Sequence, residues 1–210
     1  TACEQGEYVN AKGERVAIGD AVGAARAGTE LHELGEPLRA PSRHPQTTIS
    51  LARETTLQAL SRLAPAGGHL ACLNFASAKN PGGGFLSGAR AQEESICRAT
   101  GLFACLEGSP MYEHHRERHD PLYSTWVIHS PSVPVFRERH ALLSTPWLVS
   151  FLTSPAPNAK VVLARRPERA AEVATAMRAR IEAVFSVAAQ AGHDALVLGA
   201  WGCGAFGNDA

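Results

Sequence analysis

The stretch LNFASAKNPGGGFLSGARAQEE, residues 73–94, decides how this chain is read. It starts inside the apolar run Leu70-Ala71-Cys72-Leu73-Asn74-Phe75-Ala76. Such a run is too continuous for a half-exposed strand, which predicts a central strand buried on both faces. Asn80-Pro81 leads out of that strand into Gly82-Gly83-Gly84, and Gln92-Glu93-Glu94 open the helix that follows. A strand end, a glycine loop and an acid-headed helix in that order predict a ligand site. Glycines let the backbone approach a ligand and take up positive φ, and successive N–H groups in such a turn make an anion-binding nest. Neither common phosphate motif is present, because no Lys-Ser follows the glycines and the GxGxxG spacing is absent.

On the N-terminal side, Tyr8-Val9 and Arg15-Val16-Ala17-Ile18 flank Asn10-Ala11-Lys12-Gly13 and predict a short hairpin. Residues 21–27 are alanine-rich and predict a short helix, and 35–46 read as a surface connection. A helix is expected over 51–63, with Leu51, Leu57, Leu60 and Leu63 on its apolar face and Pro65-Ala66-Gly67-Gly68 as its stop. On the C-terminal side, Ile96, Ala99, Phe103 and Leu106 predict one helix over 92–106, ended by Gly108-Ser109-Pro110. Residues 111–123 read as a histidine-rich polar loop. Strands are expected at 124–129 and 147–153, with short extended pieces at 133–136 and 161–164. A long helix over 167–190 carries an apolar stripe from Ala170 and Val173 through Met177, Ile181, Val184, Phe185 and Ala188 to a Gly192 cap. Residues 195–200 predict a second doubly buried strand, which runs into the loop Gly202-Cys203-Gly204-Ala205-Phe206-Gly207. Two interior strands that each end in a glycine loop, with helices between, argue for α/β layers around a largely parallel sheet. Ligands bind such sheets outside the carboxyl ends of the strands, where both loops fall.

The 210 residues fit one domain with a modest extension. Twenty basic and twenty acidic residues cancel, so a polyanion must be recognised locally, by loops and helix ends. Five cysteines, at 3, 72, 97, 105 and 203, have neither disulfide-framework nor metal-ligand spacing and are expected to be reduced, in an intracellular protein. No run of 18 apolar residues is present. The last residues fall in the second loop, and the parent fold is expected to continue with at least one helix.

Glu93 and Glu94 are a helix step of 100° apart and cannot point the same way, so one is expected to face a ligand while the other reaches a different part of it or a neighbouring backbone group. Acids are favoured at a helix start in their charged form; a general acid there needs desolvation or nearby negative charge to hold its proton. Phe206 offers a ring that can stack on a base. Cys203 reads as a small wall residue, because no partner histidine is argued for it. His114, His115, His119 and Asp120 lack the HExxH arrangement and read as a solvated loop at a cleft rim rather than a metal site. His129, after a strand, reads as a structural histidine.

Three glycines, a spacer of seven residues and Gln92-Glu93-Glu94, with Asn80-Pro81 before and Gly202-Cys203-Gly204-Ala205-Phe206-Gly207-Asn208 far downstream, resemble the signature of bacterial-type poly(ADP-ribose) glycohydrolases, a catalytic branch of the macrodomains. The resemblance covers most of residues 45–209. It implies a three-layer α/β/α macrodomain-like fold with a mixed, largely parallel central sheet, divided as an N-terminal extension over 1–45 and a catalytic domain over 46–210 that continues in the family beyond the Phe206 loop. It implies mainly exo-acting hydrolysis of ribose–ribose O-glycosidic bonds, releasing ADP-ribose. Glu94 is then the catalytic acid and Glu93 its partner on the ribose hydroxyls. Asn80, Gly82, Gly83, Gly84 and Gln92 hold the terminal ribose side, and Gly202, Cys203, Gly204, Ala205, Phe206 and Gly207 hold the diphosphate and adenine. No cofactor or metal is implied. The implied partners are poly(ADP-ribose), ADP-ribose and poly(ADP-ribosyl)ated proteins, with no DNA or membrane, for a cytoplasmic monomer. The alternatives are an ADP-ribose reader that does not cut, and a hydrolase of small ADP-ribose derivatives.

Overall fold

The computed structural model describes residues 1–33, 46–66, 69–139 and 141–209. The predicted connection over 35–46 lies almost wholly outside the described residues, as do Gly67 and Gly68. In chain order the helices and strands are α1 (Ala2–Gln5), β1 (Glu7–Val9), β2 (Arg15–Ala17), α2 (Gly19–Ala27), β3 (Glu30–His32), α3 (Thr56–Leu63), β4 (Leu70–Phe75), α4 (Gln92–Ala99), α5 (Leu102–Leu106), α6 (Pro110–Arg118), β5 (Val127–Glu138), β6 (Ala141–Ser154), α7 (Ala159–Arg165), α8 (Ala170–Gln190) and β7 (Ala195–Val197).

The central sheet has the order β3-β5-β6-β4-β7. β4 is parallel to both of its neighbours, in register Ala71↔Ser150 with β6 and Leu70↔Ala195 with β7. β5 runs antiparallel to β6, and β3 to β5, so the sheet is mixed. Strand alternation divides the β4 side chains between two cores. Cys72 enters a core built with Leu60, Ile96, Leu102, Leu106, Met111 and Tyr112, whereas Ala71 and Leu73 meet Ala183, Val184, Val187 and Ala188 of α8 on the opposite face. Helices thus cover both faces of the sheet, as the three-layer expectation requires. β1 and β2 form the expected hairpin, Tyr8 opposite Val16, over a small third core of Tyr8, Ile18, Val22 and Phe136. Among the described residues no helix is long and apolar enough to cross a membrane.

Several expected elements are redrawn by tertiary contacts. The helix expected from residue 51 starts at Thr56, because the Thr55 hydroxyl caps the Gln58 N–H while Gln58 Oε1 accepts from the Thr55 N–H at 2.8 Å; Leu51 is left fully exposed. The single helix over 92–106 is two. Thr100 bridges to Val135, and the Gly101 N–H donates to Pro134 O at 2.9 Å, in a gap where a Cβ would lie 3.2 Å from Val22. The expected polar loop at 111–123 begins as α6, with Pro110 in its first turn and Met111, Tyr112 and His115 buried. The strand expected at 124–129 and the separate piece at 133–136 are one strand, because Ser132 at φ 49° absorbs a bulge and β5 continues through Val133–Phe136. Residues 161–164 are helical, since Asn158 caps the Val161 N–H. On α8 the buried stripe is rotated: Ile181 and Phe185 are exposed, while Arg180, Ala183 and Val187 are inside. β7 is a short edge strand rather than a doubly buried one, with Leu198 already exposed.

Candidate active site

At the carboxyl end of β4 the chain loses its neighbour β7, whose pairing stops at Cys72. Gln92 takes its place. Its Oε1 accepts from the Phe75 N–H at 2.9 Å and its Nε2 donates to Leu73 O at 2.8 Å, so the first residue of α4 extends the ladder and pins the helix start to the strand end. The next two side chains then fall into the cleft by helix geometry alone.

Glu93 is buried. Its Oε2 accepts from the Ser77 N–H at 2.6 Å and its Oε1 from Asn74 Nδ2 at 3.2 Å. Burial dominates those hydrogen bonds and raises its carboxyl to about 8, so Glu93 is largely neutral at pH 7. Glu94 lies closer to the opening. Its Oε1 accepts from the Gly84 N–H at 3.0 Å and its Oε2 from the Ala91 N–H at 2.8 Å, which satisfies the helix start. Gly83, at φ 61°, is the position where both acids converge. A Cβ there would collide with Glu94 Oε1 and stand 3.1 Å from Glu93 Oε2. Glycine is needed for the room as well as for the dihedral.

The opposite wall comes from the segments after β6 and β7. Gly202, at φ 78°, packs so closely on Ala156 that a Cβ would lie 2.5 Å from the alanine methyl, and Asn208 Nδ2 ties the loop to Pro157 O and Gly202 O. Phe206 is half-buried, 5.9 Å from the Tyr123 ring, and its carbonyl accepts from the Lys160 N–H. Between the walls lies a cleft of about 350 Å³. Asn80, Gly83, Gly84, Gln92, Glu93, Glu94, Gly202, Gly204, Ala205 and Phe206 all line it. Gly82, Cys203 and Gly207 do not: Gly82 packs on Phe103 and Phe85, Gly207 on Lys160, and Cys203 lies half-buried beside Trp201.

The sequence reading passed over several residues that hold this arrangement. Asn74, fully buried, joins Glu93 to Thr153; a polar residue in an otherwise apolar run was the available signal. His115 is no solvated loop residue. Its Nδ1 faces Ala78 O at 3.0 Å and its Nε2 faces Ser124 Oγ at 2.7 Å, linking the turn that carries Asn80 to the segment that carries Tyr123. Burial pushes its imidazole down to about 4, so it stays neutral. Arg116 adds a bond to Lys79 O. His129 sits outside the cleft against His193, with Nε2 atoms 3.0 Å apart. Among the described residues no group of three or more His, Cys, Asp or Glu has metal-binding geometry.

A family model described as microbial-type PARG, catalytic domain, matches residues 1–138. The chain belongs to that family. Solved microbial PARG structures extend the likeness past the matched segment. The chain is 46% identical to the poly(ADP-ribose) glycohydrolase of Thermomonospora curvata, with a TM-score of 0.91, over 99% of this chain and 78% of that one. The same enzyme bound to the inhibitor ADP-HPD matches at 44% identity and TM-score 0.85, with the same coverage. The enzyme of Deinococcus radiodurans in complex with ADP-ribose matches at 43% identity and TM-score 0.80, over 90% of this chain and 79% of that one. Comparison with curated protein sequences returned no match.

Proposed function

We propose that this cleft hydrolyses the ribose–ribose O-glycosidic bonds of poly(ADP-ribose), acting mainly from the chain end and releasing ADP-ribose. The observation that carries this reading is the convergence of Glu93 and Glu94 on Gly83, across the cleft from Phe206. A pure reader needs only the glycine loops and the ring. A buried, proton-holding acid beside a second carboxyl is a costly arrangement that binding alone does not use.

Glu94, the member nearer the opening, donates its proton to the 2′ oxygen of the leaving ribose as positive charge grows at the anomeric carbon. Its two oxygens accept from the Gly84 and Ala91 N–H groups, which fix the carboxyl at the cleft opening. The substrate diphosphate supplies the negative charge that keeps the proton on Glu94 and also stabilises the oxocarbenium-like centre. Glu93, neutral through burial, holds the ribose hydroxyls and limits the carboxyl pair to one charge. Glu94, once ionised, activates the incoming water. Neighbours on one helix do not flank a sugar as two separated carboxylates do, so one glutamate serves both steps. Asn80, whose side chain makes no hydrogen bond among the described residues, is free to take the terminal ribose, and Phe206 stacks on adenine.

Digestion of poly(ADP-ribose) by wild type and Glu94→Gln, with product lengths resolved and ADP-ribose affinity measured for both, tests this. Turnover should fall by about 10²–10⁴ while affinity holds. Wild-type binding without release of ADP-ribose from polymer selects the reader, and near-wild-type turnover by the variant removes Glu94 from the role.

A further inference from the structure

Among the described residues that line the cleft, Glu93 and Glu94 are the ionisable side chains, with no lysine or arginine beside them. For a site read as binding a diphosphate this is an imbalance, and the chain as a whole, at zero net charge, does not correct it. Among the described residues a buried cation, Arg180, is bonded to the carbonyl that precedes the cleft residue Ala156. Arg180 projects from the middle of α8 and is 1% exposed. Its two terminal nitrogens each donate at 2.7 Å, one to Pro155 O and the other to Leu122 O. Its Nε has no partner, and among the described residues no carboxylate pairs with it. Burial lowers it to about 10, which leaves it charged at neutral pH.

A buried cation without a counter-ion costs several kcal/mol as a rule, and two carbonyl dipoles offset only part of that. Both carbonyls belong to cleft segments. Pro155 precedes Ala156, which lines the cleft and supports Gly202, and Leu122 precedes Tyr123, which meets Phe206. Among the described residues no peptide bond is cis. With Pro155 C=O turned toward Arg180, the Ala156 N–H of the same planar unit therefore points the opposite way. Ala156 is 1% exposed, and its N–H reaches no acceptor among the described residues. A buried N–H without an acceptor is rare in a finished structure.

We propose that Arg180 is the cation that balances the bound diphosphate, acting through the Ala156 peptide rather than by contact. This inference rests on the diphosphate-binding reading above. Arg180 is a positioning and electrostatic residue, not a catalytic one. The free protein bears an uncompensated charge, and an anion entering the cleft compensates it across one layer of backbone.

A merely structural Arg180, stapling two loops, would weaken every ligand of the cleft alike. The test is therefore a ratio: the affinities of wild type, Arg180→Met and Arg180→Lys for ADP-ribose and for adenosine, by calorimetry. Arg180→Met should lose on the order of tenfold to a hundredfold for ADP-ribose relative to adenosine, the range for a charge pair about 10 Å apart at an effective dielectric near 20. Arg180→Lys should restore most of that preference. Equal loss for both ligands overturns the proposal. So does a preference that survives in Arg180→Met but vanishes in Lys160→Ala, whose exposed side chain beside Gly207 is the surface alternative. Should the methionine variant not fold, wild type alone decides: a buried charge is little screened, so ADP-ribose affinity should change less than about threefold between roughly 50 and 500 mM salt, and a steep fall refutes it. Wild type that binds no ADP-ribose at all would reject the functional reading instead.

Discussion

Replacing Glu93 with glutamine should make the protein more stable at alkaline pH, although it removes a group from the site. Glu93 has its carboxyl raised from 4.5 to about 8 by burial. Between those values the folded state binds a proton that the unfolded chain has released, so stability falls as pH rises through this window and levels off above about 8. A displacement of that size corresponds to on the order of 3–5 kcal/mol across the window. Glutamine keeps the shape and cannot ionise. Its Oε1 still accepts from the Ser77 N–H, and its Nε2 then faces Asn74. Asn74 accommodates this, because its Oδ1 has no partner and an amide flip turns that oxygen toward the new donor while Thr153 donates from its hydroxyl. Urea titrations of wild type and Glu93→Gln at intervals from pH 4.5 to 8.5 measure the difference. It should grow steadily in favour of the variant and then plateau. Curves that stay parallel across the window would refute the claim that Glu93 is buried with its proton on.

Gly83→Ala should destabilise by about 1–3 kcal/mol, as expected for a side chain forced into positive φ, and should depress turnover further by displacing Glu94; thermal melts and kcat together separate the two effects. Phe206→Ala should weaken ADP-ribose binding by about 1–3 kcal/mol, the value of a base on an aromatic platform, while leaving stability nearly unchanged because the ring is only half-buried; calorimetry reads the first and a melt the second. His115 and His129 are both held down to about 4 by burial, so the folded state refuses protons that the unfolded chain binds below about 6.5. Stability present above 6.5 is lost as pH falls toward 4, and His115→Gln should flatten its share of that slope, as denaturation at pH 4.5, 5.5 and 6.5 would show.

What the sequence made legible follows from what it encodes locally. β4 was readable because a strand with partners on both edges and cores on both faces needs a continuous apolar run, and the three glycines were readable because crowding by two glutamates excludes any Cβ at Gly83. What stayed hidden depends on distant partners. Nothing local distinguishes a solvated histidine from His115, whose partners are Ala78 and Ser124. The α8 stripe was misplaced because Arg180 scores as polar yet is satisfied inside by two carbonyls from loops 25 and 58 residues away. The helix over 92–106 breaks at Thr100 because β5 offers a bridge there, and the length of β5 itself is hidden by a bulge that resembles a strand end. Glu93 and Glu94, identical in type and adjacent, become different only once Asn74 and Ser77 close over one of them.

The charge arrangement has a consequence for specificity. A cleft lined by two acids repels anions unless their charge is met by dipoles; on the reading proposed above these are N–H groups of the loop held by Gly202, because the Gly83 and Gly84 N–H groups are already taken by Asn80 O and Glu94 Oε1, and they do not move as a flexible lysine would. Donors fixed before the ligand arrives cost little reorganisation in the transition state. They also discriminate by shape, because an anion must place its oxygens where the peptides already point. Proton uptake by Glu93 removes one of the two repelling charges at neutral pH. Above about pH 8 that charge returns, and the cleft should lose affinity for ADP-ribose more steeply than for adenosine. The same substitution that cancels the alkaline loss of stability, Glu93→Gln, should cancel this divergence between the two ligands. A divergence that persists in the variant would place its origin in some group other than the buried acid.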